Sequence, residues 1–323
     1  MSILFIPVSV CQDLVDVRAV VERVEECFRW EAAGKVRYAE PGTLRMTSDE
    51  PPAKFHSKAV VLPELGVAGF RVVGYRLHED GSGPSSPDST RLIVLTDLET
   101  GSPLAIVDEH YNYTLRTAAS IGVAARHLCP DRPVLGLIGA GGVAYDVARI
   151  FLASLPIEAV FVTSRRPASR EKLVDAARRW SDVPMIATAD LDTVVDNSNL
   201  LVTATTVHRP LVPAERIRAG MTLCALGSFE FEPETYRRVD KLVVDDWRQT
   251  SAAHDVRPML EQGLLTADDV YAEVAQIVAG EKAGRQRPDE TILVRTEGMA
   301  SQDVALAHWV YEQARRRGLG TAL

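Results

Sequence analysis

Between residues 134 and 166 the chain carries residue types suited to holding a dinucleotide. Val134-Leu135-Gly136-Leu137-Ile138 reads as a buried strand, and Gly139-Ala140-Gly141-Gly142-Val143-Ala144 follows at once. Helical spacing continues over 145–155 and a second strand is expected at 159–163, so this GxGxxA turn stands in its working context. Glycines there allow a tight turn and close backbone approach to a pyrophosphate. The N–H groups at the helix start supply positive charge to hold it. The position about 20 residues on selects the cofactor, and there the chain reads Thr163-Ser164-Arg165-Arg166. It offers no acidic partner for a ribose 2′-hydroxyl, and two guanidinium groups suit a 2′-phosphate. NADP is therefore expected, with NAD as the alternative; the plainer reading makes both arginines solvated loop charges. Thr203 and Thr205 lie at the C-terminal end of another strand, where such sheets place ligands, and are expected to touch the cofactor. His208, just beyond, is either near the nicotinamide or an ordinary loop histidine.

The surrounding pattern predicts two kinds of architecture. Apolar runs at 134–138, 159–163, 200–205, 221–226 and 242–245 alternate with helical or polar segments, the signature of a doubly wound parallel α/β sheet of Rossmann type. Before it, residues 3–10 read as a strand, and Leu14, Val17, Val20, Val21, Val24 and Phe28 follow helical spacing. Residues 35–110 change character: strands at 59–62, 70–75, 91–96 and 104–108 are separated by turn-rich stretches, the longest at 79–90. Strands without intervening helices predict an antiparallel or mixed sheet. Helices are expected at 116–128 and 302–317. The division predicted is an α+β unit of residues 1–128 with 299–323, and a dinucleotide-binding unit of 129–298.

Composition narrows the function. A chain of 323 residues points to about two domains. The net charge of −8 argues against a nucleic-acid or anionic-membrane partner. No stretch approaches the apolar length of a membrane span. Cys11, Cys27, Cys129 and Cys224 are scattered, without metal-ligand spacing, so reduced thiols, a cytoplasmic location and no metal are expected.

Three separated segments carry a resemblance. Arg116-Thr117-Ala118-Ala119-Ser120, the GxGxxA turn and Gly298-Met299-Ala300-Ser301-Gln302-Asp303-Val304-Ala305 together resemble the ornithine cyclodeaminase/μ-crystallin family over roughly residues 40–320. The segments 243–247, 272–280 and 318–321 look most like its siderophore-pathway branch. That branch oxidatively cleaves N-(2-amino-2-carboxyethyl)-glutamate to 2,3-diaminopropionate and 2-oxoglutarate. The resemblance implies a homodimer, with the α+β unit serving substrate binding and dimerisation. It also implies hydride transfer between a nicotinamide and the Cα of an amino or imino acid.

It further implies site residues. Arg45 and Arg116 fall where the family clamps the substrate carboxylate with arginine, a task suited to that side chain. From sequence alone they read as a turn charge and a helix-start surface charge. Where the family has a proton-carrying lysine, this chain has Arg71, which orients or polarises but is a poor base. Where cyclodeaminases place an aspartate, it has Gly227-Ser228-Phe229-Glu230, leaving Glu230 as the carboxylate on offer. Lys58 is a candidate stand-in for the lysine and His56 a candidate substrate contact, although a surface lysine on a short strand is common. Asp303 reads as a helix N-terminal charge. The expected function is an NAD(P)-dependent oxidoreductase acting on a C–N bond of an amino-acid-derived substrate. The alternatives are an ornithine or lysine cyclodeaminase and a non-catalytic NADPH-binding protein.

Overall fold

The computed structural model describes residues 3–79 and 89–323, which leaves most of the turn-rich 79–90 stretch outside the described residues. The chain forms two compact units, one of residues 1–116 with 299–323 and the other of 117–298.

The first unit is a mixed sheet. Its strands are β1 Leu4–Ile6, β2 Arg37–Tyr38, β3 Leu44–Asp49, β4 Pro52–Leu62, β5 Val67–Arg76, β6 Thr90–Asp97 and β7 Pro103–Asp108. The main path runs β1-β7-β6-β5-β4-β2, with β3 also on β4. β1 is parallel to β7 and the other pairings are antiparallel. The strand expected over 3–10 ends early. Pro7 has no N–H to extend the ladder and caps a helix, α1 Val8–Leu14. Asp16 caps the next, α2 Val17–Ala32, whose Val17, Val20, Val21, Val24 and Phe28 are buried as the periodicity predicted, with Cys27 buried beside them.

Side chains alternate across a sheet, so its two faces differ. On one face lies the C-terminal helix Ala300–Arg317. A β-carbon at Gly69 would collide with Val304, so the glycine permits the helix to sit close. On the opposite face, Leu44, Met46, Phe55, Phe70 and Val72 are all exposed.

In the second unit eight strands are all parallel. They are β8 Val134–Ile138, β9 Ala159–Thr163, β10 Met185–Thr188, β11 Leu200–Thr203, β12 Thr222–Ala225, β13 Lys241–Val244, β14 Val270–Glu273 and β15 Ile292–Arg295, in the order β10-β9-β8-β11-β12-β15-β13-β14. β10, β14 and β15 were not expected. β15 has only four residues and follows a polar stretch, yet it lies in mid-sheet with all four buried. The last strand, β16 Thr321–Ala322, returns to pair with β1.

The chain divides between the units inside a helix, α3 Asn112–Leu128, where the sequence suggested a boundary after 128. From Thr117 onward the helix belongs to the second unit. Gly122 lies against Ile150, and the Leu128 carbonyl accepts the Thr222 hydroxyl at 2.7 Å. Among the described residues, no helix is long and apolar enough to cross a membrane.

Candidate active site

At the C-terminal end of β8, Gly139 has φ +119 and faces the Ala204 carbonyl so closely that a β-carbon would clash. Only glycine fits there. Gly141 caps α4 Gly142–Ser154, and nothing lies within 4 Å of where its β-carbon would stand. Gly142, Val143 and Ala144 make the first turn of that helix, whose N–H groups are the usual anion donors. After β9, Arg165 and Arg166 are exposed and the Ser164 hydroxyl donates to the Arg166 carbonyl at 3.0 Å. A third arginine joins them, since Arg170 donates to the Ser164 carbonyl at 2.7 Å. Its place on the next helix, α5 Pro167–Ala177, hid it from a reading based on the loop alone.

Two expected cofactor contacts are engaged inside the unit. The buried Thr203 hydroxyl donates to the Cys224 carbonyl at 3.3 Å. Thr205 gives both its N–H and its hydroxyl to Glu230, at 2.9 and 2.6 Å. The other Glu230 oxygen accepts the Gly227 N–H at 2.7 Å. Glu230 is thus a buried carboxylate that clasps two loops. Between them Phe229 holds φ +64, a left-handed conformation unusual for a bulky residue, and its N–H donates to Asp255 at 3.1 Å. Asp255 is fixed by buried Arg295 at 3.2 Å. The Phe229 ring lies edge-on to His254 and His208, with centroids 5.2 and 6.2 Å away.

In the first unit, register brings the expected substrate residues to one face. Arg45 pairs with His56, His56 with Val73, and Val73 with Arg91. One step along, Lys58 stands opposite Arg71. This is the face covered by the C-terminal helix. Burial first, then the positive charge of Arg71, Lys58, Arg91 and Arg45, pushes the His56 imidazole down to about 4.

Below that row lies a buried quartet. The Arg71 Nε is 2.7 Å from both oxygens of Glu109 and 3.5 Å from Asp303. Arg116 Nε donates to the other oxygen of Asp303. All four residues are less than a tenth exposed. Burial disfavours the Arg71 charge, but Asp303 and Glu109 outweigh it and hold the guanidinium above its ordinary range. Asp303 is driven upward by burial, yet Arg116 and Arg71 keep it below the usual carboxylate value. Glu109 is raised to about 7, by burial first and then by Asp303, against the opposing pull of Arg71. Asp303 does sit in the first turn of its helix, but as a buried ion-pair partner, not a solvated charge. Sequence reasoning missed Glu109. It received no role there, and its one signal was its place directly after an apolar strand.

All four cysteines are thiols, and among the described residues no His, Cys, Asp and Glu cluster could hold a metal ion.

A model of the ornithine cyclodeaminase/mu-crystallin family matches residues 5–318. The N-((2S)-2-amino-2-carboxyethyl)-L-glutamate dehydrogenase of Staphylococcus aureus is 28% identical over 267 residues, covering 80% of this chain and 78% of that protein. The Thermococcus litoralis Delta(1)-pyrroline-2-carboxylate reductase, solved with NADH and L-proline, superposes with TM-score 0.90 at 26% identity, covering 99% of this chain and 100% of that one. An archaeal alanine dehydrogenase, solved as a dimer with bound NAD, gives TM-score 0.90 at 27% identity, covering 100% and 99%.

Proposed function

The chain belongs to the ornithine cyclodeaminase/mu-crystallin family, and from that premise we propose that it is an NAD(P)-dependent oxidoreductase acting on a C–N bond of an amino or imino acid. The observation that carries the reading is the cradle at Gly139–Gly142, where a positive φ and open space over Gly141 leave room for a pyrophosphate at a helix start. The residues fit a nicotinamide dinucleotide, which when bound supplies or accepts hydride. The substrate carboxylate is taken by arginine forks from the first unit, with Arg116 and Arg71 buried and pre-set by their acids and Arg45 more exposed. His56, kept neutral at working pH, serves as a hydrogen-bond partner. The work of the first unit is thus substrate binding.

The cyclodeaminase reading is weaker here. It needs the family's lysine and aspartate, whereas this chain has Arg71 and a Glu230 already engaged by Thr205 and Gly227. Absorbance at 340 nm, followed on mixing the protein and NAD(P)⁺ with L-alanine, L-proline, L-glutamate and the branch substrate, decides among the readings. Net reduction supports the oxidoreductase, ammonia without net reduction the cyclodeaminase, and binding without either a non-catalytic protein.

Arg165 and Arg166, backed by Arg170, favour NADP(H), although the two solved relatives named above hold NADH and NAD. NADPH should bind at least tenfold more tightly than NADH, about 1.4 kcal/mol. Replacing Arg165 and Arg166 with Ala should erase that difference, and equal affinities in the unmodified protein would refute it. The exposed apolar face of the first sheet fits a homodimer, as in the archaeal relative. The four thiols fit a reducing, cytoplasmic compartment.

A further inference from the structure

Oxidation at a C–N bond has a proton requirement that the family's lysine would meet and Arg71 does not. An amino acid's nitrogen is protonated at neutral pH. It must lose one proton before the adjacent C–H pair can leave as hydride. In the reverse direction the product nitrogen must gain one. Arginine stays charged throughout, so a neighbouring group has to carry that proton.

We infer that the Glu109 carboxyl is the proton carrier of this site, a role that rests on the oxidoreductase reading above. It is in direct contact with the residue at the lysine's place, both oxygens lying 2.7 Å from Arg71 Nε. It faces Arg71 from β5, Asp303 from the C-terminal helix and Arg116 from α3. Tyr113 of α3 lies beside Arg71, and Lys58 of β4 beside Asp303. The other acid of the quartet is unsuited, because two guanidiniums hold Asp303 ionised. His56 is unsuited for the opposite reason, its proton being lost at about pH 4. Glu109, raised to about 7, matches the operating range of an efficient acid–base group.

The proton balance closes on Glu109. Taking the proton breaks an N–H bond of the substrate ammonium and forms an O–H bond on Glu109. The lone pair left on nitrogen becomes the C=N π bond as the carbon loses hydride, which an NAD(P)⁺ held by the second unit would accept. Charge closes too. Two guanidiniums facing two carboxylates are neutral, and protonating Glu109 leaves one net positive charge, complementary to a substrate carboxylate.

The test uses Glu109→Gln, with Glu109→Asp to restore the carboxyl, on the amino-acid panel with NAD(P)⁺. Intact folding is checked by dinucleotide binding to the second unit. In the unmodified protein, oxidation should fade as pH falls through about 7. Glu109→Gln should lower kcat by about 100-fold or more, leave KM within about threefold and abolish that pH limb, while Glu109→Asp recovers part of the rate and a displaced limb. Independently of turnover, pH-difference infrared spectra should show a carboxyl C=O band that titrates near pH 7 and is missing from Glu109→Gln. An active protein whose Glu109→Gln variant keeps its rate and its limb overturns this role alone. A protein inactive on the whole panel overturns the reaction reading and this role with it.

Discussion

Arg116 and Asp303 are ion-paired across 187 residues of chain, with 8% and 0% of their side chains exposed. The pair ties the start of α3 to the C-terminal helix, so the returning end of the chain completes the first unit's charged interior. A residue expected to clamp substrate therefore also neutralises a buried carboxylate. Arg116→Ala should lower unfolding stability by about 3–5 kcal/mol, the cost of stranding a buried charge. Arg116→Lys keeps the charge but loses the planar fork, and kcat/KM should fall roughly 10- to 100-fold. Urea melts and steady-state kinetics separate the two effects. An Arg116→Ala variant as stable as the parent would reduce the pair to a surface contact.

The proton held by Glu109 makes stability depend on pH. Its folded value, about 7, lies above its ordinary value of 4.5. Between those values the folded chain holds a proton that the unfolded chain has released, so this group's contribution is lost as pH rises through the window. Asp303 is shifted downward, so its contribution is lost only as pH falls below the usual carboxylate range. Urea midpoints at pH 5, 6, 7 and 8 should therefore decline more steeply for the parent than for Glu109→Gln. Parallel curves would mean that Glu109 titrates alike in both states.

Glu230 gives a contrasting case. A glutamine in its place has one acceptor oxygen for the Thr205 N–H, the Thr205 hydroxyl and the Gly227 N–H. At least one buried donor loses its partner, costing about 1–3 kcal/mol. Glu230→Gln should thus destabilise the second unit and loosen dinucleotide binding, yet leave the pH limb of kcat in place. Disappearance of the limb would transfer the proton role from Glu109 to Glu230.

The parts of this molecule legible in its sequence are those with a strong local period or a steric demand. The α2 stripe and the glycine turn after β8 belong here, because helical burial and backbone approach are written into neighbouring residues. β15 was hidden, since four apolar residues after a polar stretch carry no period and their central place depends on strands far away in the chain. The quartet was half visible. Arg71 and Arg116 stood out through the family likeness, but Asp303 looked like a helix-start charge and Glu109 drew no notice. Their burial arises from strand register and the return of the C-terminal helix, which no local pattern encodes. Glu230 was visible as a residue, but its hydrogen bonds with Thr205 and Gly227 were not.

The exposed face carrying Leu44, Met46, Phe55, Phe70 and Val72 predicts its own test. An apolar face of this kind commonly marks an interface. Phe70, 47% exposed on a central strand, should tolerate Glu in a monomer and repel its counterpart in a dimer. Phe70→Glu should shift the protein to half its mass in sedimentation, with dinucleotide binding retained. An unchanged mass would place the contact elsewhere.

Arg71→Lys tests how far one side chain divides this protein from the cyclodeaminases it resembles. Arg71 shares its one Nε–H between both oxygens of Glu109, with Asp303 3.5 Å from the same nitrogen. Lysine keeps one cation between the two acids, so folding should survive. It is a point charge on a shorter reach, so the shared Nε–H contact and the guanidinium's remaining donors are lost, and kcat/KM for the native oxidation should fall by about tenfold or more. Cyclisation of ornithine should not emerge with the lysine alone. The family's aspartate has no counterpart here, because Glu230 is bound by Thr205 and Gly227 and the adjacent Phe229 is locked through Asp255. Product analysis after incubation of parent and variant with ornithine and NAD⁺ or NADP⁺ reads the outcome. Ammonia and proline formed efficiently by the parent would show that Arg71 does not disable the lysine's role. The same products from the variant alone would show that this single position separates the two chemistries, and that Glu230 is more available than its hydrogen bonds imply.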